Sequence, residues 1–431
     1  MLDTAAASDP PFYRSPRSLP SIAALLRRGV ADPASTIPES VYDTRALKLS
    51  PVGPIVVTRP EAVRTVLLDK SETFGRNRQL RLLMRRAWGD GLAGVEGSAS
   101  ERQRRAASPA FRPQAVCAVL PEMEAAAERS SEKWQSGDAI DLVAAMERIV
   151  TDVIASTLMT GLKDLDLDRV AKDMGPFARE VTRFGALDVL PLPDAAINRL
   201  RRLGRTKEEA RLRQVALRLS QLGANEDGKH LPTLLRAAGP IEQNMLGFMI
   251  AGLGTTALGA AWAVYLLARY PEWQKRIREE ELAPGGSAAA EPSVARQVAQ
   301  EALRLYPPAP ILARAVIKRT TLEGFRLWPG QTVIIPIYAI HRHRLLWDQP
   351  ASFDPERFDN SGTYDRAAFM PFGAGPRLCI AASFALTEMA TILSTLVRRF
   401  RFKPIGEKPV VSLSIGTHSL NGLHAVVERL S

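Results

Sequence analysis

From Met245 to Ala268 the chain runs without a charged side chain, and this stretch is long enough to cross a bilayer as a helix. A helix that is apolar all round has two homes: a membrane, or the centre of a large helical protein. Four glycines and the adjacent Thr255 and Thr256 lower the hydrophobicity of the stretch, so the second home is expected, with no stable membrane insertion. The rest of the chain must then supply apolar surface to wrap it. With 431 residues, 46% of them hydrophobic, it has enough for a large core.

Helical periodicity predicts such a wrapping. Apolar patterns of helical period cover Arg59 to Asp69, Glu101 to Ala107, Pro113 to Gly137, Ala139 to Met159, Asp168 to Phe184, Ala195 to Leu222, Pro240 to Tyr270, Glu272 to Glu281 and Pro292 to Tyr306. Ala46 to Leu49 and Pro54 to Val57 read as short strands. Pro307, Pro308 and Pro310 then stop the helices, and β-rich runs follow at Ile311 to Ile317 and Thr332 to Ile337. Trp347 to Phe372 is loop-rich, Ile380 to Phe400 is helical, and Val410 to Val427 reads as a terminal hairpin. No internal repeat or Gly/Ser linker divides the chain, so one domain over residues 1–431 is expected, mainly α with a small β region.

The formal net charge of +11 favours acidic partners by long-range steering. Nucleic acid is not expected, because zinc-finger spacing, an RNP-like aromatic motif and an isolated basic tail are all missing. The two cysteines, Cys117 and Cys379, suit a reducing, cytoplasmic setting. The first residues carry Asp3 and Asp9 and no apolar core, so neither a signal peptide nor an anchor is expected.

The chemistry concentrates in Phe372-Gly373-Ala374-Gly375-Pro376-Arg377-Leu378-Cys379, ahead of a helix predicted from Ile380. A cysteine at a helix N-terminus meets free backbone N–H groups and the positive end of the dipole, which should lower its pKa and favour the thiolate. Gly373 and Gly375 would let the backbone approach a flat cofactor, and Arg377 offers a cation to a carboxylate. Cys117, with no such setting, reads as a buried core cysteine.

This loop resembles the cysteine signature of the cytochromes P450, Phe-x-x-Gly-x-Arg-x-Cys-x-Gly, with Ala381 in place of the last glycine. Other segments resemble the family in the same order along the chain. Glu301-Ala302-Leu303-Arg304 is similar to its Glu-x-x-Arg, and Arg357 in Phe353-Asp354-Pro355-Glu356-Arg357-Phe358 is the implied third member of a structural ion network. Ala251-Gly252-Leu253-Gly254-Thr255-Thr256 resembles the oxygen-binding Ala-Gly-x-Asp/Glu-Thr-Thr, with Gly254 standing where the acid should be. Arg104 resembles the arginine of a Trp/His-x-x-x-Arg motif whose aromatic position is Ser100, and Arg314 resembles the arginine on the strand after the proline break.

The resemblance implies the cytochrome P450 fold and a haem b (iron protoporphyrin IX) lying between the helix that carries Thr255 and the loop that carries Cys379. Cys379 would be the iron ligand, with Arg377, Arg104, Arg314, Phe372, Gly375, Ala251 and Gly252 as further cofactor contacts. Thr255 and Gly254 are the catalytic positions, proton delivery falling to Thr255 and ordered water; a glycine at 254 suggests that room for substrate or water matters there. The implied reaction is insertion of one oxygen atom from dioxygen into a small, apolar organic substrate by a monomer. Electrons would come from an acidic ferredoxin or flavodoxin with its reductase, docked near Arg102 and Arg105. Peroxide-driven oxidation, and gas or ligand binding without turnover, are the alternatives. Implied pocket walls are Gly75 to Gly94, Phe184 to Leu190, Phe248 to Gly252, Ile311 to Ala313 and Ile415 to Thr417. The five arginines between Arg76 and Arg86 are either a solvated face or a sign of an anionic substrate. His341 and His343 have metal-like spacing on a predicted strand, but their segment also resembles a family segment, and no zinc site is expected.

Overall fold

The uncharged stretch forms the middle of a helix, Ile241–Arg269, in a computed structural model that describes residues 10–17, 33–50, 53–69, 72–76, 78–159, 166–182, 207–221, 231–236, 238–283, 293–359, 364–414 and 416–430. By length and composition this helix would pass for a membrane span, yet 72% of its most apolar window is buried in protein. Helices Leu142–Thr157, Lys207–Gln221, Val294–Leu305 and Ala382–Arg399 pack around it. Small residues permit the close approach: a Cβ on Gly247 would lie 2.3 Å from the ring of Trp88. Trp262 is fully enclosed, stacks on Tyr306 with ring centroids 3.8 Å apart, and donates its indole N–H to the carbonyl of Thr417 at 2.7 Å.

Long-range pairing corrects two of the predicted boundaries. Ala139–Asp141 is a strand, and the helix begins only at Leu142, where the Asp141 carboxylate accepts from the N–H groups of Val143 and Ala144. Helical period runs through Ala139 regardless, because the strand is short and its partner is distant in sequence. That partner, His424–Arg429, also pairs with Phe400–Pro404, so the C-terminal segment is not one hairpin. The local hairpin there is only Val411–Ser412 with His418–Ser419. Arg78–Trp88 is a helix within the stretch expected only as pocket wall, and Pro113 to Gly137 breaks into Pro113–Cys117 and Leu120–Ser131. Residues 195–206 and 183–184 of the predicted helices lie outside the described residues.

A five-stranded sheet flanks the helical body in the order Ala46–Lys48, Ile55–Val57, Thr332–Ile335, Leu312–Val316, Phe74–Gly75. Its last pair, Phe74 with Val316 and Gly75 with Ala315, brings the chain at Arg76 alongside the strand that carries Arg314.

Glu301 and Arg304 are fully buried and joined by two short bonds, Nε to Oε2 at 2.6 Å and Nη2 to Oε1 at 2.7 Å. Arg304 directs its remaining N–H groups to the carbonyls of His341, Pro350 and Ser352, each at 2.8 Å. Glu301 also accepts from the Asp354 N–H at 2.9 Å, with Arg357 at 3.6 Å. One ion pair thus ties helix Val294–Leu305 to three separate loop carbonyls, which supports a structural role. His341 is not on a strand but follows the short helix Ile337–Ile340; its Nδ1 bonds the Arg304 carbonyl and its Nε2 accepts from Met370 N–H. Burial and the Arg304 cation push its pKa from 6.5 down to about 3, so the ring is neutral and both nitrogens are engaged. Among the described residues no cluster of three His, Cys, Asp or Glu side chains is arranged for a metal.

This clamp has two measurable consequences. Glu301→Gln leaves two guanidiniums without their carboxylate and should cost about 3–5 kcal/mol, read from the denaturant midpoint. His341 takes up a proton more readily in the unfolded chain, so its contribution is complete above pH 6.5 and is lost as pH falls toward 3. The pH slope of unfolding free energy below about pH 6 should be shallower in His341→Gln by up to about 1.4 kcal/mol per unit; an unchanged slope would refute the neutral buried ring.

Candidate active site

The burial of the central helix fails at one turn. Ala251 and Thr255 are exposed there and Gly252 is half-buried; with Thr256 they line a cavity of about 400 Å³. Positions four apart share a helix face, so these residues form one stripe. Gly254 is not among the residues lining the cavity, and a Cβ on it would meet nothing within 4 Å. Close packing therefore does not require the glycine. The Thr255 hydroxyl donates to the Ala251 carbonyl at 2.6 Å, inside the stripe, an arrangement that bends helices.

A second wall is the loop Phe372 to Cys379, whose shape follows from two glycines. Gly373 and Gly375 have φ of +73° and +75°, and a Cβ on Gly375 would lie 2.1 Å from the Leu67 carbonyl oxygen. Gly375 does not itself line the cavity; it turns the chain against Leu67 so that its neighbours do. The loop closes through Leu378 N–H to the Gly375 carbonyl and Cys379 N–H to the Phe372 carbonyl, both 3.0 Å. Phe372, Arg377 and Cys379 face the cavity.

Cys379 is enclosed by protein yet has free surface, because that surface is cavity wall. The thiol pKa departs from the sequence expectation. Burial pushes it up, and the Ala381 N–H and the Arg104 cation offset this only in part. The physical reason is position: helix Ala382–Arg399 starts three residues beyond the cysteine, which therefore meets one N–H rather than a free first turn. Ala381, at the signature's last glycine position, has φ −97°, an ordinary value for alanine. Cys117 is exposed rather than a core cysteine.

Cations gather along one edge. Arg104, Arg314 and Arg377 all line the cavity, as does Ser100. Arg104 donates to the Leu378 carbonyl at 2.8 Å, and Arg377 pairs with Glu96 at 3.0 Å. Arg76 joins them, 3.9 Å from Glu96; of the arginines that follow it in sequence, Arg81 and Arg85 are exposed and off the wall. Burial, with Arg377 next, lowers the pKa of Arg76 and of Arg314 to about 10. One carboxylate shared among these cations leaves a site that favours further anionic groups.

The other walls are largely apolar. Trp88, Leu92, Phe248 and Leu312 fall where the implied walls lie. Sequence reasoning misses Ile154, Leu158 and Met159, because an amphipathic helix shows which face is apolar but not that part of it borders a hole. Phe184 to Leu190 and Ile415 lie outside the described residues, and Thr417 is buried away from the cavity on Trp262 and Pro307.

An accessible sulfur, an apolar hollow and a basic edge together fit a flat iron porphyrin with carboxylate tails. Comparison with known proteins agrees. Residues 37–423 match the family model described as Cytochrome P450. The chain is 32% identical to the cyclooctat-9-en-7-ol 5-monooxygenase of Streptomyces melanosporofaciens, over 84% of this chain and 83% of that one. It is 30% identical to the cyclooctatin synthase of the same organism, over 87% of each. Among crystal structures, a cytochrome P450 from Thermus thermophilus is 28% identical with a TM-score of 0.67, covering 88% of this chain and 90% of that one. A six-coordinate cytochrome P450 from another strain of that organism is 26% identical with a TM-score of 0.66, covering 87% and 92%. The fold that surrounds this cavity and the motifs that line it are therefore shared, and the chain belongs to the cytochrome P450 monooxygenase family.

Proposed function

We propose that the cavity holds a b-type haem with Cys379 on its iron, and that this single-domain enzyme inserts one oxygen atom of dioxygen into a small apolar organic molecule. The observation that carries the reading is the Cys379 thiol, with its free surface turned into a cavity rimmed by Arg104, Arg314 and Arg377. When bound, haem supplies the redox chemistry by which dioxygen is cleaved with external electrons, one oxygen atom entering the substrate and the other leaving as water.

The chain's residues do the rest. Cys379 would hold the iron as a thiolate, since a bound metal cation favours loss of the thiol proton against the burial that pushes its pKa up. Arg104, Arg314 and Arg377 would hold the carboxylates of the cofactor, with Gly375 shaping the loop and Phe372, Ala251 and Gly252 supplying wall of the cavity that would receive it. Thr255 presents a hydroxyl at the turn that borders the cavity, where it would orient water and pass on a proton. Phe248, Ile154 and Leu158 keep bulk water out and favour an apolar substrate; the names of the two Streptomyces relatives point to a cyclic alcohol and its products as a first class to assay.

Electrons come from a separate acidic carrier, a ferredoxin or flavodoxin with its reductase, meeting a monomeric, cytoplasmic protein. The helix Gly97–Ala107 supports this: Arg104 reaches inward to the carbonyl beside Cys379, while Arg102 and Arg105 are exposed on the same helix.

Cys379→Ser should abolish the red-shifted absorption of the reduced carbon monoxide complex along with turnover, whereas Cys117→Ser should change neither; a retained band would refute the ligand assignment. Thr255→Ala should lower product per NAD(P)H by about tenfold or more while NAD(P)H use continues and hydrogen peroxide appears. A fully coupled Thr255→Ala enzyme would remove this residue from proton delivery.

A further inference from the structure

The arginines at the cavity edge, Arg76, Arg104, Arg314 and Arg377, face an acid that belongs to the chain itself. Glu96 pairs with Arg377 at 3.0 Å and lies 3.9 Å from Arg76, and its charge also acts on Arg314. Among the described residues no other carboxylate pairs with any of the four. Glu96 does not line the cavity, and its side chain is 38% exposed, so it meets these guanidiniums from the solvent side.

The surrounding chain holds Glu96 in place. It is the N-cap residue of helix Gly97–Ala107 but makes no side-chain hydrogen bond to that helix, which leaves its carboxylate to the arginines. The segment before it is braced twice. Arg76 donates to the carbonyls of Ala93 at 2.6 Å and Val95 at 3.3 Å, and the Leu92 N–H donates to Oδ1 of the buried Asn244 at 2.8 Å. Guanidiniums gathered at an apolar hollow repel one another, Arg377 acting against both Arg76 and Arg314, and a fixed anion among them offsets that repulsion. The same anion repels any second carboxylate that approaches Arg377.

We propose that Glu96 is a built-in counter-anion of this edge, a positioning residue that holds the arginines together and, by the same charge, weakens their grip on the carboxylates of the cofactor. The inference rests on the haem reading given above. Retention of haem, and the ease with which its iron is reduced, are then set in part by a residue outside the cavity wall.

Glu96→Gln tests this in the loaded, full-length enzyme. Transfer of haem to an excess of haem-free myoglobin should be slower than from wild type by about fivefold at low salt, the scale of one unit charge acting over several Å with partial screening. The difference should shrink as salt rises. The reduction potential should move in the positive direction, because a negative charge near the iron has been removed. Glu96→Asp keeps the charge and should stay close to wild type; an Asp variant that behaves like Gln would trace the effect to side-chain length and overturn the proposal. A Glu96 that only braces the arginines gives the opposite sign, with haem lost faster from the Gln variant, and that result or an unchanged rate overturns the proposal as well. If the Gln variant folds poorly, Glu96→Ser removes the same charge while capping the helix, and the same readings decide. Failure of the haem reading shows itself separately, as wild-type protein that gives no thiolate spectrum with haem.

Discussion

A helix that is apolar on every side stays in water only if protein wraps it completely, and Ile241–Arg269 is wrapped along its apolar middle except at the turn of Ala251 and Thr255. The rest of the structure depends on that exception. Four helices bury the apolar length of this one, and burial at roughly 25 cal/mol per Å² of apolar surface is the largest favourable contribution available to the fold. The gap left at mid-helix is therefore maintained against a strong tendency to close. What maintains it is a set of features that cannot collapse inward: a loop braced on Leu67 by Gly375, and a row of arginines that repel one another.

The ion pair of Glu301 and Arg304 does comparable work at a distance from the cavity. Its energy alone is poor evidence of stability, because desolvation cancels much of the attraction in a buried pair. Its geometry is better evidence. Five hydrogen bonds from one guanidinium reach a carboxylate and three carbonyls, so the chain following the helix has one path across it. His341, kept neutral by burial and by that guanidinium, then bonds Met370 N–H, two residues before Phe372. The network thus fixes the start of the loop that presents Cys379.

Charge inside the cavity is distributed unevenly. Arg76, Arg314 and Arg377 share Glu96 at one edge, whereas Glu388 lies on the wall with no cation beside it among the described residues. The same low dielectric acts on both in opposite directions: it makes the arginines easier to neutralise and the carboxyl harder to ionise. An edge that invites anions and a wall on which a carboxyl resists ionisation are two consequences of one apolar hollow.

Much of this was legible in the sequence. The absence of charge from Met245 to Ala268, the order of Glu301, Arg304, Arg357 and Cys379, and the pairing of Ala251 with Thr255 are local patterns, and local patterns survive in a linear text. They determined the helical class, the loop that bears the thiol and the residues of the clamp. Tertiary structure decided the rest: that Ala139–Asp141 is a strand, that Arg76 joins Arg314 while Arg81 and Arg85 do not, that Gly375 answers to Leu67, that the Cys379 thiol is pushed up by burial, and that Glu388 sits in an apolar wall. The physical reason is common to all of them. Burial, strand pairing and electrostatic environment are sums over neighbours distant in the chain, and a residue type announces what it can do but not what will surround it.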